Sequence, residues 1–155
     1  MSSPFMERAI QLAIESVRSR QGGPFGAVVV KDGDILAEGV NQVTVTNDPT
    51  AHAEVLAIRQ ACRTLGLFEL KGCELYTSCE PCPMCLGAIY WTRLSRVYYA
   101  SFAADASKVG FDDSFIYREI AQPKTQREIP MIQIMREEAL AAFRVWEEKP
   151  DKVRY

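Results

Sequence analysis

The sequence predicts an α/β layer fold: one domain in which helices alternate with strands around a mixed sheet of five strands. Three observations carry this. Apolar residues recur at helical spacing over residues 5–20 and again over 51–65. Between them, Ala27-Val28-Val29-Val30 is a short continuous apolar run of the kind a buried strand shows. Asp32-Gly33-Asp34 then turns the chain back, so the first two strands form a hairpin and the sheet is not wholly parallel.

Taken in order, residues 5–20 form the first helix, with Ile10, Ala13, Ile14 and Val17 on one stripe. Gln21-Gly22-Gly23-Pro24 ends it. Residues 25–31 and 35–41 are the hairpin strands, and a loop over 42–49 follows. Residues 51–65 form the second helix, with Val55, Leu56, Ile58 and Ala61 inward, Asp48 or Thr50 as its cap and Gly66 at its end. Residues 73–77 are the third strand. Pro81 and Pro83 suit the start of a third helix running to Trp91, because a missing N–H costs nothing there. Residues 96–100 are the fourth strand, 111–120 a short helix, 129–135 the fifth strand and 137–147 the last helix. Residues 149–155 read as a polar C-terminal tail.

The chain of 155 residues is long enough for one domain with a real core, and 48% hydrophobic and 25% charged residues are ordinary for a globular protein. The start, Met1-Ser2-Ser3-Pro4-Phe5-Met6-Glu7, has no basic region followed by an apolar run, so no signal peptide is expected, and no segment is long enough to span a membrane. Five cysteines, an odd number, suit a reducing cytoplasm better than a disulfide scaffold. A net charge of −2 argues against nucleic acid, whose phosphates call for a basic field, and for a small, uncharged substrate.

Chemistry concentrates in two segments, Pro49-Thr50-Ala51-His52-Ala53-Glu54 and Pro81-Cys82-Pro83-Met84-Cys85. His52 is the only histidine. One imidazole and two thiolates, from His52, Cys82 and Cys85, give three bonds to Zn²⁺ and leave the fourth tetrahedral position for water, as a catalytic site requires. Cys82 and Cys85 are three residues apart, so on a helix they share a face. Two thiolates cancel the charge of zinc and weaken its hold on a water proton, so a nearby base is useful; Glu54 is the candidate proton shuttle, not a ligand. Two plainer alternatives stand beside this one. Cys79, Cys82, Cys85 and His52 could close a structural Cys₃His cage, with Glu54 an ordinary surface acid, or the cysteines could pack in a core with no metal. Cys62, Cys73 and Cys79 are otherwise left as core residues or as residues that support the metal ligands from behind.

The pattern H-x-E followed by P-C-x-x-C resembles the zinc nucleobase deaminases. The chain is similar to the cytidine deaminase superfamily, which implies a three-layer α/β/α fold with a mixed five-stranded sheet and one zinc per chain. Cys79-Glu80-Pro81-Cys82-Pro83-Met84-Cys85 looks like the branch holding guanine deaminases and tRNA adenosine deaminases. Residues 46–54, Gly87-Ala88-Ile89-Tyr90-Trp91, and residues 110–117 together with a terminal Tyr155 resemble the bacterial guanine deaminases. That resemblance implies hydrolysis of guanine to xanthine and ammonia, a homodimer whose C-terminal segment crosses to the partner, and base contacts from Asn41, Asp113 and Tyr155. Residue chemistry allows this. A flat heterocycle needs π-faces, for which Phe25 and Trp91 are candidates, and a few fixed polar groups. Core packing for Phe25 and Trp91, a turn role for Asn41, helix capping for Asp112 and Asp113, and a frayed end for Tyr155 are the plainer alternatives. Deamination of tRNA adenosine or of another small amino-heterocycle (a cytosine, an aminopurine or an amino-triazine), and a non-catalytic zinc-stabilised binding protein, are the rival functions.

Overall fold

A computed structural model describes residues 3–155; Met1 and Ser2, which belong to the start read above as lacking a signal peptide, lie outside the described residues. The described chain divides into two compact units, one reaching to Asp113 and one of Ser114–Tyr155.

The first unit is built on a four-stranded mixed sheet in the order β2-β1-β3-β4. Its elements are α1 (Pro4–Arg18), β1 (Gly26–Lys31), β2 (Asp34–Val40), α2 (Val43–Thr46), α3 (Ala53–Leu65), β3 (Cys73–Cys79), α4 (Pro83–Trp91), β4 (Arg96–Ser101) and α5 (Ala103–Ser107). β1 pairs antiparallel with β2 and β3, while β3 and β4 run parallel. Asp32 and Gly33 both take positive φ, 53° and 88°, as the two-residue hairpin turn between twisted strands demands.

Period-two alternation sorts the core into two faces. Ala27 and Val29 of β1, with Leu75 of β3, pack against Ala53, Ala57, Ile58 and Ala61 of α3 and Ile89 of α4. Val28 and Val30, with Tyr76, pack against Leu12 of α1. The sheet therefore has α1 on one side and α3 with α4 on the other, the three layers expected. Gly39 lets β2 and α3 come together: a Cβ there would stand 2.2 Å from the Ala53 carbonyl oxygen and 2.7 Å from the Ala57 nitrogen. This approach fixes the first turn of α3, between His52 and Glu54.

The second unit holds α6 (Ser114–Ala121), a 3₁₀ turn over Lys124–Gln126, and α7 (Arg136–Glu148). The expected fifth strand over 129–135 is not formed, and the sheet has four strands rather than five. Pro130 offers no N–H to a ladder, Met135 turns left-handed at φ 52°, and Ile129, Ile132 and Ile134 are all exposed. The α1 stripe also differs. Its buried face is Ala9, Leu12, Ala13 and Ser16, while Ile10, Ile14 and Val17 rim an apolar cavity of about 550 Å³ beside Ala100 of β4. Among the described residues, no helix is long and apolar enough to cross a membrane.

Arg8 Nε and Nη2 donate to the two carboxylate oxygens of Glu38, each at 2.7 Å, tying α1 to β2. That hydrogen bond holds the Glu38 carboxyl below its ordinary range, with burial pulling the other way. A depressed carboxyl contributes stability above its unfolded pKa of about 4.3 and loses it as pH falls through the folded value. Both side chains are about a third exposed, so the pair is worth at most about 1 kcal/mol. Arg8→Gln is therefore expected to lower Tm slightly at pH 7, with the difference closing below about pH 4; thermal melts of both proteins across that range check it.

Candidate metal centre and its pocket

Two helix starts meet at the centre of the first unit. His52 is the N-cap of α3 and Cys82 the N-cap of α4, with Pro83 in the first helical position. Cys85 lies in the first turn of α4 and is fully buried. Asp48 and Thr50 do not cap α3. The Asp48 carboxylate instead accepts from the Thr50 amide at 2.8 Å and hydroxyl at 2.7 Å, closing the turn that delivers the chain to His52.

His52 Nδ1 stands 3.5 Å from both the Cys82 and the Cys85 sulfur. A tetrahedral ion with Zn–N of about 2.0–2.1 Å and Zn–S of about 2.3 Å sets nitrogen and sulfur about 3.5 Å apart, so both nitrogen–sulfur distances match those of a bound zinc. Among the described residues this trio is the group able to hold a metal, all its ligand atoms lying within 4.8 Å of one another. Cys79 stands outside it: its thiol donates to the Phe102 carbonyl at 3.7 Å, which disfavours the closed Cys₃His cage.

The electrostatics suit a metal. A hydrogen bond from the Cys85 thiol, reinforced by His52 and opposed by burial, brings Cys82 down to about 4. The same hydrogen bond, with burial, pushes Cys85 upward. The Cys82 hydrogen bond in turn raises His52 against the pull of burial. Glu54, only 6% exposed, is pushed above the ordinary carboxyl range chiefly by burial, with the Cys82 charge adding and its backbone amide opposing; its carboxyl reaches the Cys85 thiol. A buried acid poised this way can both take and give a proton.

The expected pocket residues fall in different places. Asn41 is buried at the end of β2, and Gln42 N–H donates to the Ala51 carbonyl at 2.9 Å, tying that end to the residue before His52. Its Oδ1 accepts from the Gly23 amide at 3.3 Å and the Val43 amide at 3.2 Å. Two N–H donors can face only an oxygen, so the carboxamide NH₂ is what Asn41 offers a ligand. Phe25 is half-buried and meets Phe111 edge to face, centroids 5.0 Å apart. Asp113 is half-buried and pushed upward by burial first and the Cys82 charge second, whereas Asp112 is exposed. Trp91 is 66% exposed at the last turn of α4, about 12 Å along the helix axis from the first turn. Tyr155 ends the second unit and is 73% exposed.

Two residues had no role in the sequence reading. Phe111 completes the aromatic pair with Phe25; its signal was an aromatic following Gly110, which takes φ 97°. Glu80 bridges elements beside Cys82; its signal was an acid in the turn between Cys79 and Cys82.

Residues 1–101 match the family described as the cytidine and deoxycytidylate deaminase zinc-binding region. The chain belongs to this zinc-dependent deaminase family, and the geometry makes His52, Cys82 and Cys85 the residues that fit its metal. Within it, the chain is 58% identical to guanine deaminase of Bacillus subtilis (strain 168) over 151 residues, covering 97% of each chain. A crystal structure of guanine deaminase from Bacillus subtilis matches with a TM-score of 0.97 at 56% identity, covering 100% of this chain and 99% of that one. Guanine deaminase from Nitrosomonas europaea matches with a TM-score of 0.68 at 30% identity, covering 94% and 85%. The tRNA-specific adenosine deaminase of Agrobacterium fabrum is 45% identical over 97 residues, 63% of each chain.

Proposed function

We propose that this chain hydrolyses guanine to xanthine and ammonia. The observation that carries the reading is a buried Glu54 set against the His52–Cys82–Cys85 trio in a chain 58% identical to a guanine deaminase along nearly its whole length. Zinc, when bound, supplies Lewis-acid activation of a water molecule. Glu54 takes a proton from the attacking water and delivers it to the ring nitrogen beside the carbon that bears the exocyclic amine; it then takes the remaining proton from the added hydroxyl and gives it to the departing amino group, which leaves as ammonia. Asn41 presents its carboxamide NH₂ to a ring acceptor, and Asp113 accepts from ring N–H groups. Phe25, paired with Phe111, supplies a π-face. The reaction belongs to purine breakdown in the cytoplasm.

The working form in this proposal is a homodimer, with residues 149–155 as a tail that crosses to the partner so that Tyr155 helps cover the base. The second unit supports it with apolar side chains left at the surface, among them Ile129, Ile132, Phe143 and Val153. Deleting Tyr155 is then expected to lower kcat/KM for guanine while leaving Tm unchanged; kinetics equal to those of the full chain would remove the tail from the site.

Ammonia release by the zinc-loaded protein tests the substrate, across guanine, adenine, cytosine, their nucleosides, amino-triazines and a tRNA anticodon stem. Release from guanine alone supports the proposal. Release from another ring keeps the chemistry and overturns the substrate, and turnover of the RNA alone moves the assignment to adenosine deamination.

A further inference from the structure

The turn that carries Cys82 is stitched to Ser101 at the end of β4 and to the two residues after it by four contacts, three of which use a side chain. Ser101 Oγ donates to the Ser78 carbonyl at 2.9 Å. Glu80 N–H donates to the Ser101 carbonyl at 2.9 Å. The Cys79 thiol donates to the Phe102 carbonyl at 3.7 Å. The Glu80 carboxylate accepts from the Ala103 amide at 3.0 Å. Ala103 is the first residue of α5, whose first-turn amides have no partner inside the helix. Asp105 serves Phe102 at 3.1 Å, and Glu80 serves Ala103.

Beyond α5 the chain leads to Phe111 and Asp113. Phe111 N–H donates to the Ala106 carbonyl at 3.1 Å, its ring meets Phe25, and Asp113 follows close to Cys82. Glu80 therefore stands at the root of the segment that carries both Phe111 and Asp113. Its negative charge faces Asp113 and Cys79, two groups that gain nothing from an acid beside them. Electrostatics give no reason for a carboxylate here; the hydrogen bond to Ala103 does.

We infer that Glu80 is a positioning residue for recognition of the base: it latches residues 103–113 onto the turn that holds Cys82 and so sets where Phe111 and Asp113 stand. The kinetic part of this inference rests on the proposed guanine deamination. Glu80 touches neither the metal trio nor the proton path, so binding of the ring should suffer more than chemistry.

The test compares Glu80→Ala and Glu80→Gln in the zinc-loaded full chain, by steady-state kinetics, zinc content and hydrogen exchange of the Ala103 amide. Glu80→Ala should raise KM for guanine about tenfold with kcat within about threefold and one zinc per chain retained. Glu80→Gln, whose carboxamide oxygen still accepts, should restore KM to within about twofold. Ala103 should exchange about tenfold faster in the alanine variant and not in the glutamine variant. An unchanged KM in Glu80→Ala, a kcat that falls in step with kcat/KM, lost zinc, or no rescue by glutamine would overturn the inference. If the unsubstituted protein leaves guanine untouched, the deamination reading fails separately, and Ala103 exchange decides the latch: faster in alanine alone supports it, equal in both variants overturns it.

Discussion

Glu54→Gln is expected to bind zinc as the natural chain does and to lose deamination by about 10²–10⁴-fold, the share a positioned acid–base group contributes. The carboxamide has nearly the carboxylate's shape, so α3 and its packing stay in place, but it cannot accept and return a proton. The loss should fall on kcat, because the proton is in flight only in the transition state. Burial is what makes Glu54 suited to the work. Water around an exposed acid would hold it ionised, whereas burial first, with the Cys82 charge adding, pushes the Glu54 carboxyl above the ordinary carboxyl range. Glu54→Ala makes the same comparison with a cavity added. Turnover near that of the unsubstituted protein in either variant, with zinc present, would remove Glu54 from the mechanism.

The metal centre was legible in the sequence because its ligands lie in two short segments, each at a helix start. His52, Cys82 and Cys85 meet where the spacing put them, and the Asp32-Gly33 turn, the Gly66 cap and the buried β1 followed from local rules of backbone and composition. What stayed hidden depends on contacts far apart in the chain. The stripe of Ile10, Ile14 and Val17 has helical spacing, but which face of α1 turns inward is decided by the sheet, where a Cβ on Gly26 would meet the Ala9 carbonyl oxygen at 2.4 Å. The apolar run over 129–135 looked like a strand because apolar residues suit strands, and Pro130 was the local warning against it. α2 and α5, four and five residues long, are too short for any periodicity to show. Sequence offered Asn41 as both donor and acceptor; only the Gly23 amide, after α1, and the Val43 amide, at the start of α2, fix which end of its carboxamide accepts.

Cys85→Ala is expected to abolish both zinc binding and activity, whereas Cys79→Ala is expected to keep one zinc per chain. The two cysteines are six residues apart in the sequence, and composition alone cannot rank them; the geometry does. Cys85 points its sulfur at His52 Nδ1 from the first turn of α4, and Cys79 spends its thiol on the Phe102 carbonyl. Removing Cys85 leaves one imidazole and one thiolate, too few donors to retain zinc through dialysis. It also removes the thiol that hydrogen-bonds Cys82, so the Cys82 thiolate loses the contact that does most to keep its proton off. Because a metal that binds only the folded chain adds its binding energy to stability, Cys85→Ala should melt well below the zinc-loaded protein and about level with that protein stripped by a chelator. Zinc affinity in the unsubstituted chain should fall as pH drops, since His52 must be neutral and both thiols deprotonated to bind. Metal analysis and melting of the two variants side by side separate the readings: zinc lost from Cys79→Ala as well would restore the Cys₃His cage, and zinc retained by Cys85→Ala would break the assigned ligand set.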